Sequence, residues 1–196
     1  MCVSTLGSQM ALIAYPLLVL AITGSPAIVG YVSALRITPF VLLSLPVGAL
    51  IDRWDRRRVM LLCDLGRAVV VSSLPLAMLF AEPSLWHIMA VALVEGTLMV
   101  FYNLAEVAAL PRVVARHQLP QASALNQAGY SAAGVAGPAL GTALYQASRA
   151  LPFAADAVSS ALSAFTLWRM RGDFTPVPAT APRHLRREIK VGLRWL

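Results

Sequence analysis

Charge is the scarcest thing in this chain. Only 13% of its 196 residues are Asp, Glu, Lys or Arg, about half the share a soluble domain uses to cover its surface. With 58% hydrophobic residues and a mean hydropathy of +0.70, that shortage excludes an ordinary soluble domain. It points instead to an integral membrane protein. Lysine is almost missing: Lys190 is alone among 16 basic residues, beside abundant alanine, a bias expected of a GC-rich bacterial genome. The two cysteines, Cys2 and Cys63, lie far apart in apolar runs, so neither a disulfide framework nor a metal spacing follows. His87, His117 and His184 fall near loops or in the tail, none with a second ligand at useful spacing, which argues against a metal site. No phosphate-binding loop, paired His/Asp motif or nucleophile with its base appears, which excludes an enzyme of the common kinds and implies no cofactor. No basic segment precedes the first apolar run, so a signal peptide is not expected. The net charge of +7 does not indicate nucleic acid, because the basic residues sit at the ends of apolar runs, where topology signals lie.

What is present is a series of six apolar runs. They cover about Val3–Ile22, Ala27–Ile51, Val59–Ala81, Leu85–Val107, Ala122–Ala147 and Leu151–Met170. Each is near the ~20 residues that cross a bilayer as a helix. Helix is the form open to a single run there, since lipid offers backbone groups no partners. The expected fold is therefore all-α and integral to the membrane, with a six-helix bundle over residues 1–170. Residues 171–196, RGDFTPVPATAPRHLRREIKVGLRWL, read as a cytoplasmic linker and the start of a further, truncated helical unit.

The charge that does exist is concentrated in GALIDRWDRRRVMLL, residues 48–62, where two acids and four arginines occupy positions 52–58. With this loop in the cytoplasm, alternation also places Arg112, Arg116 and everything after the sixth run inside. Thirteen of the 16 basic residues are then cytoplasmic, Arg149 is outside, and Arg36 and Arg67 lie within spans. The opposite orientation breaks the positive-inside rule, so both ends of the segment are expected to be cytoplasmic. Within the loop, Asp52 is spaced to pair with Arg56 at i+4 and to face the N-terminus of a neighbouring helix. Gly48 suits a close helix approach. Arg57 and Arg58 are read either as part of such a cluster or as topology determinants alone.

Ionisable residues at depth are expensive and usually functional. Arg36 lies ten residues into the second run and Glu95 ten into the fourth. Both runs go from outside to inside, so the two sit at equal depth, ~15 Å from the outer surface. They are expected to face a central cavity, as a pair or through water. Either Glu95 loads and releases a proton, or the two form a structural ion pair. Gln9 and Asn126 are candidate cavity residues on the first and fifth helices. Asp64 and Arg67, three apart and placed near the inner surface, are expected either to neutralise each other or to extend the loop cluster. Asp156 is a cap or a gate residue, and Glu106 is expected at the interface. In GVAGPALG, residues 134–141, Pro138 bends the fifth helix while Gly137 and Gly141 permit tight packing.

Six helices with this loop resemble the N-terminal half of a major facilitator superfamily transporter. The family signature G-x-L-x-D-R-x-G-R-[KR] is matched by Gly48, Leu50, Asp52, Arg53, Arg56 and Arg57. Asp55 stands where many members have glycine. The D-R-x-D-R-R variant, with CDLGRA at 63–68 and ALPRVVARHQLPQASALNQ and GPALG within 109–141, resembles the branch that includes the enterobactin exporter and macrolide-efflux-like permeases. The resemblance implies two inverted three-helix repeats, alternating access around a midplane site, a small-molecule substrate and protons as partners, and a C-terminal six-helix half that is missing here. It implies that Gly48, Asp52, Arg53, Arg56 and Arg57 form a conformational latch between halves. It implies that Gly137, Pro138 and Gly141 belong to an antiporter-type motif found in exporters; the other reading is a simple packing kink. The arginine that many proton-coupled members carry four residues before a helix-four glycine is replaced by Ala92, so its role does not transfer. The implied localisation is the bacterial cytoplasmic membrane, multi-pass. The alternative is a membrane fragment with a scaffold role or no independent function.

Overall fold

The computed structural model describes residues 2–169, so the expected linker and further helix over 171–196 lie outside the described residues. Six long helices and one short 3-10 turn make up the described chain: α1 (Cys2–Thr23), α2 (Pro26–Ile51), α3 (Arg56–Phe80), α4 (Leu85–Val113), the turn Arg116–Gln118, α5 (Leu119–Ala147) and α6 (Leu151–Arg169). Local chemistry sets the breaks. Gly24 takes φ 64 and its N–H returns to Leu20 O at 2.8 Å, closing α1 in a left-handed turn that suits glycine. Pro26 then opens α2 at its first turn, where a missing N–H costs nothing. Ser84 caps α4 by accepting from His87 N.

Two boundaries differ from expectation. α4 runs on to Val113 and α5 begins at Leu119, so most of the polar stretch 111–121 is helical. Pro111 lies inside α4, as membrane helices allow when neighbours re-satisfy the backbone. Four helices are long and apolar enough to cross a membrane by length and composition alone: Ser4–Thr23, Pro26–Ile51, Arg56–Phe80 and Leu85–Pro111. α5 and α6 are richer in Ala, Gly and Ser.

The most extensive neighbour pairs are α2–α4, α1–α5, α3–α6, α3–α4, α1–α6 and α1–α2, with α5–α6, α4–α5 and α1–α4 in lesser contact. Exchanging α1–α3 for α4–α6 in order turns α2–α4 into α1–α5 and α3–α4 into α1–α6, and leaves α3–α6 unchanged. The close approaches run along the same seams. A Cβ on Gly96 of α4 would collide with the Arg36 carbonyl of α2, one on Gly137 with Gln9 of α1, and one on Gly141 would lie 2.7 Å from Met10 O of α1. Small residues thus let backbones touch, which is how helices associate without a hydrophobic drive between them.

The core has two apolar clusters. One gathers Leu18, Val32, Val71, Leu74, Ile88 and Phe153, and the other Ile51, Met60, Val100, Ala105, Ala109 and Leu167. Between them, on four of the helices, lies a layer of buried charge: Arg36 on α2, Asp64 and Arg67 on α3, Glu95 on α4 and Asp156 on α6. The exterior is apolar, with Val41, Leu62, Val69, Leu79, Phe80 and Leu162 all exposed, the reverse of a water-soluble surface.

Candidate functional site

Equal depth brings Arg36 and Glu95 together. Arg36 Nη2 donates to Glu95 Oε1 at 2.7 Å, with the glutamate side chain 0% and the arginine 11% exposed. The Arg36 guanidinium also lies 5.1 Å from the centroid of the Tyr15 ring, a cation–π distance. Arg36 and Gln9 line one cleft of about 270 Å³ with Ser8, Phe40, Gly96 and Asn103. Glu95 does not face that cleft, contrary to expectation. It is fully buried and paired with the arginine, and of the two it is Arg36 that lines the cleft.

A second buried cluster joins α1, α3 and α6. Arg67 Nη2 lies 3.1 Å from Asp156 Oδ1, and Nη1 lies 3.9 Å from Asp64 Oδ1. Arg67 also donates to Ser8 Oγ and, at 3.3 Å, to Ser4 Oγ. This corrects two expectations. Arg67 sits eleven residues into α3, ~16 Å from its inner end, in the middle of the bundle and away from the inner surface. Asp156 is not a helix cap: it lies inside α6, 0% exposed and ion-paired. Gly7 makes room for it, since a Cβ there would strike Ser159 and Asp156. A signal for this face was present in α6: Asp156, Ser159, Ser160 and Ser163 fall on one helical stripe and are all buried.

At the 52–58 loop, Asp52 Oδ1 and Arg56 Nη2 lie 3.7 Å apart; the arginine side chain is 8% exposed and the aspartate 72%. Asp55, the departure from the family signature, caps α3 by accepting from Arg57 N at 3.0 Å and Arg58 N at 3.4 Å. Arg57 does more than signal topology. Its Nε donates to Leu167 O at 2.9 Å and its Nη2 to Trp168 O, so it satisfies carbonyls at the end of α6. Arg58 pairs locally with Asp55 at 3.4 Å. Arg53 extends the loop turn, its N–H donating to Leu50 O at 3.0 Å. Gly48 departs from expectation: a Cβ there would meet nothing within 4 Å among the described residues. It therefore makes no close approach inside this bundle, and the carboxylate of Asp52 beside it points to solvent.

On α5, Gly137 and Gly141 pack on α1 as described above, and Pro138 lies between them with Thr142 Oγ1 donating to its carbonyl at 2.8 Å. Asn126 does not join Gln9. It lines a separate cleft of about 680 Å³ between the C-terminal part of α4 and the N-terminal part of α5, since it lies 11 residues before Gly137, ~16 Å along the helix. There it donates to Glu106 Oε1 at 3.3 Å, and Tyr130 Oη donates to Glu106 Oε2 at 2.9 Å. Glu106 is thus only 4% exposed, covered by its neighbours near the C-terminal end of α4. Asn103 lines both clefts. Among the described residues no group of three or more His, Cys, Asp or Glu is placed to hold a metal ion.

An apolar exterior, paired charges at mid-depth and a basic loop at one end define a polytopic membrane protein of transporter type. The chain belongs to the Major Facilitator Superfamily, whose family model matches residues 1–194; this is a transporter family, not an enzyme family. Macrolide efflux protein A of Streptococcus pyogenes is 29% identical over 137 residues, 70% of this chain and 33% of that protein. Macrolide efflux protein A of Enterococcus faecalis is 29% identical over 119 residues, 61% of this chain and 37% of that protein. The matched region thus amounts to about a third of these relatives' length.

Proposed function

We propose that this chain is the N-terminal six-helix half of a secondary active exporter of small molecules, such as drugs or siderophores, in the bacterial cytoplasmic membrane. It works by alternating access against a second six-helix half. The observation that carries this reading is the Arg36–Glu95 pair at mid-depth, set beside a cleft that Gln9 and Arg36 share. Transport sites of this architecture lie near the midplane, at the interface between repeats. The symmetric neighbour pairs support two three-helix repeats. The efflux named in the relatives favours export, and so does the glycine–proline seam on α5.

In this reading Asp52, Arg53, Arg56, Arg57 and Gly48 form the latch to the second half. The solvent-facing Asp52 carboxylate and the open surface at Gly48 suit a partner outside these six helices. Glu95 is assigned to proton coupling: opening the Arg36 pair would expose it to the cleft. The share of the relatives' length that is matched favours a second reading as well, a membrane unit with no transport of its own.

Efflux of a fluorescent drug panel tests both. The 196-residue chain would be compared with a form extended through six further helices. The extended form alone should export, Asp52→Asn should abolish export, and Glu95→Gln should remove its dependence on the proton gradient. Export by the 196-residue chain itself would overturn the half-transporter reading. Unchanged gradient dependence in Glu95→Gln would remove the coupling role.

A further inference from the structure

Four acids lie buried in the bundle, and three of them have an arginine beside them. Glu95 has Arg36 at 2.7 Å; Asp64 and Asp156 share Arg67. The fourth, Glu106, has no cationic partner among the described residues. Its two oxygens accept from neutral donors, the Asn126 amide and the Tyr130 hydroxyl. Such donors fix a carboxylate's orientation and fill one lone pair on each oxygen, leaving further acceptor capacity. They do not cancel its charge. A buried carboxylate without a counter-ion is costly, and proteins normally pair it.

The surroundings describe what would pair it. The cleft between α4 and α5 holds about 680 Å³, within the range of small-molecule sites. Its polar wall is Glu106, Asn126 and Tyr130, and its apolar wall is Val107, Leu110 and Leu119. α5 carries no charged residue, and among the described residues that line the cleft Glu106 is the one that carries a charge. Tyr130 Oη also reaches Asn103 Oδ1 at 3.5 Å, and Asn103 lines the midplane cleft too. The two clefts therefore adjoin along α4.

We propose that Glu106, oriented by Tyr130 and Asn126, is a binding subsite for a cationic amine with an apolar body, which it receives in the inner half of the bundle ahead of the midplane cleft. The ammonium N–H donates to the open lone pairs of Glu106, and the apolar body lies on Val107, Leu110 and Leu119. The inner-to-midplane order rests on the export reading above; the binding itself does not.

The test is equilibrium binding to the purified 196-residue chain in nanodiscs of zwitterionic lipid. The probes are dansyl 2-dimethylaminoethyl amide, cationic at neutral pH, and its uncharged 3-methylbutyl isostere. The cation should bind about tenfold or more tightly than the isostere, as a charge-assisted hydrogen bond provides. Glu106→Gln should erase that preference while leaving the isostere's affinity unchanged, Glu106→Asp should retain part of it, and Glu82→Gln, an exposed acid at the other end of the bundle, should retain it. A wild-type chain with no cation preference overturns the proposal whatever the variants do. So does a preference that survives Glu106→Gln or disappears in Glu82→Gln. Because no transport is measured, a chain that binds the cation while its extended form fails to export would refute the export reading and leave this one standing.

Discussion

Arg67 concentrates more of the bundle's electrostatics than any single side chain of the loop. It faces two carboxylates and two serine hydroxyls from three helices while 2% exposed. Removing it leaves Asp64 and Asp156 buried without a base. Arg67→Met should therefore cost about 3–5 kcal/mol, the usual result of breaking a buried pair from one side. Arg67→Lys should recover part of this, since an ammonium keeps the charge but loses the planar fork. Unfolding midpoints in detergent would check it, and a Met variant as stable as the parent would show that the cluster carries no net weight. The Asp64–Arg67 spacing was legible as a local pair. Asp156 was not, because its partner lies 89 residues away and nothing local announces the contact.

At the scale of helices, glycine decides where backbones meet. Gly96 holds the α2–α4 seam, where a Cβ would strike the Arg36 carbonyl, whereas a Cβ on Gly48 meets open space. Gly96→Ala should lower stability by about 1–3 kcal/mol, as overpacking does. Gly48→Ala should be neutral or should raise the bundle's stability by up to about 1 kcal/mol through helix propensity. Thermal unfolding of the two variants side by side reads this out; equal losses would refute the assignment of the seam. If Gly48→Ala abolishes export without lowering stability, the defect lies in a contact outside these six helices. The glycines of the signature and of α5 were visible as motifs. Gly96 was visible only as the glycine four residues after Ala92, and the packing roles of Gly7 and Gly96 follow from which helix each one faces.

For the molecule as a whole, charge asymmetry predicts an orientation in the membrane. The 52–58 loop carries four arginines, while Glu82 and Arg149, 3.7 Å apart, join the loops at the opposite end. With Cys2 and Cys63 replaced by serine, a cysteine at Glu82 should react with a membrane-impermeant maleimide added to intact cells. A cysteine at Trp54 should react only after the membrane is opened. The reverse pattern would invert the topology and, with it, the side from which the Glu106 cleft opens.

Composition alone was enough to place this chain in a bilayer as a set of helices. Lipid leaves an apolar run of about 20 residues no other way to pair its backbone, and arginine placement carries the orientation because charge translocates poorly. Depth was legible too, since a fixed rise per residue sets Arg36 level with Glu95. Partnership was not. That Asn126 meets Glu106 and not Gln9 depends on how far α5 is displaced along its axis against α1. Whether Glu95 faces a cleft or lies behind Arg36, and whether Gly48 touches a helix, depends on the rotation of each helix about its axis. Packing against neighbours decides that rotation, and in lipid it is governed by small-residue seams and buried polar pairs that only the assembled bundle brings together.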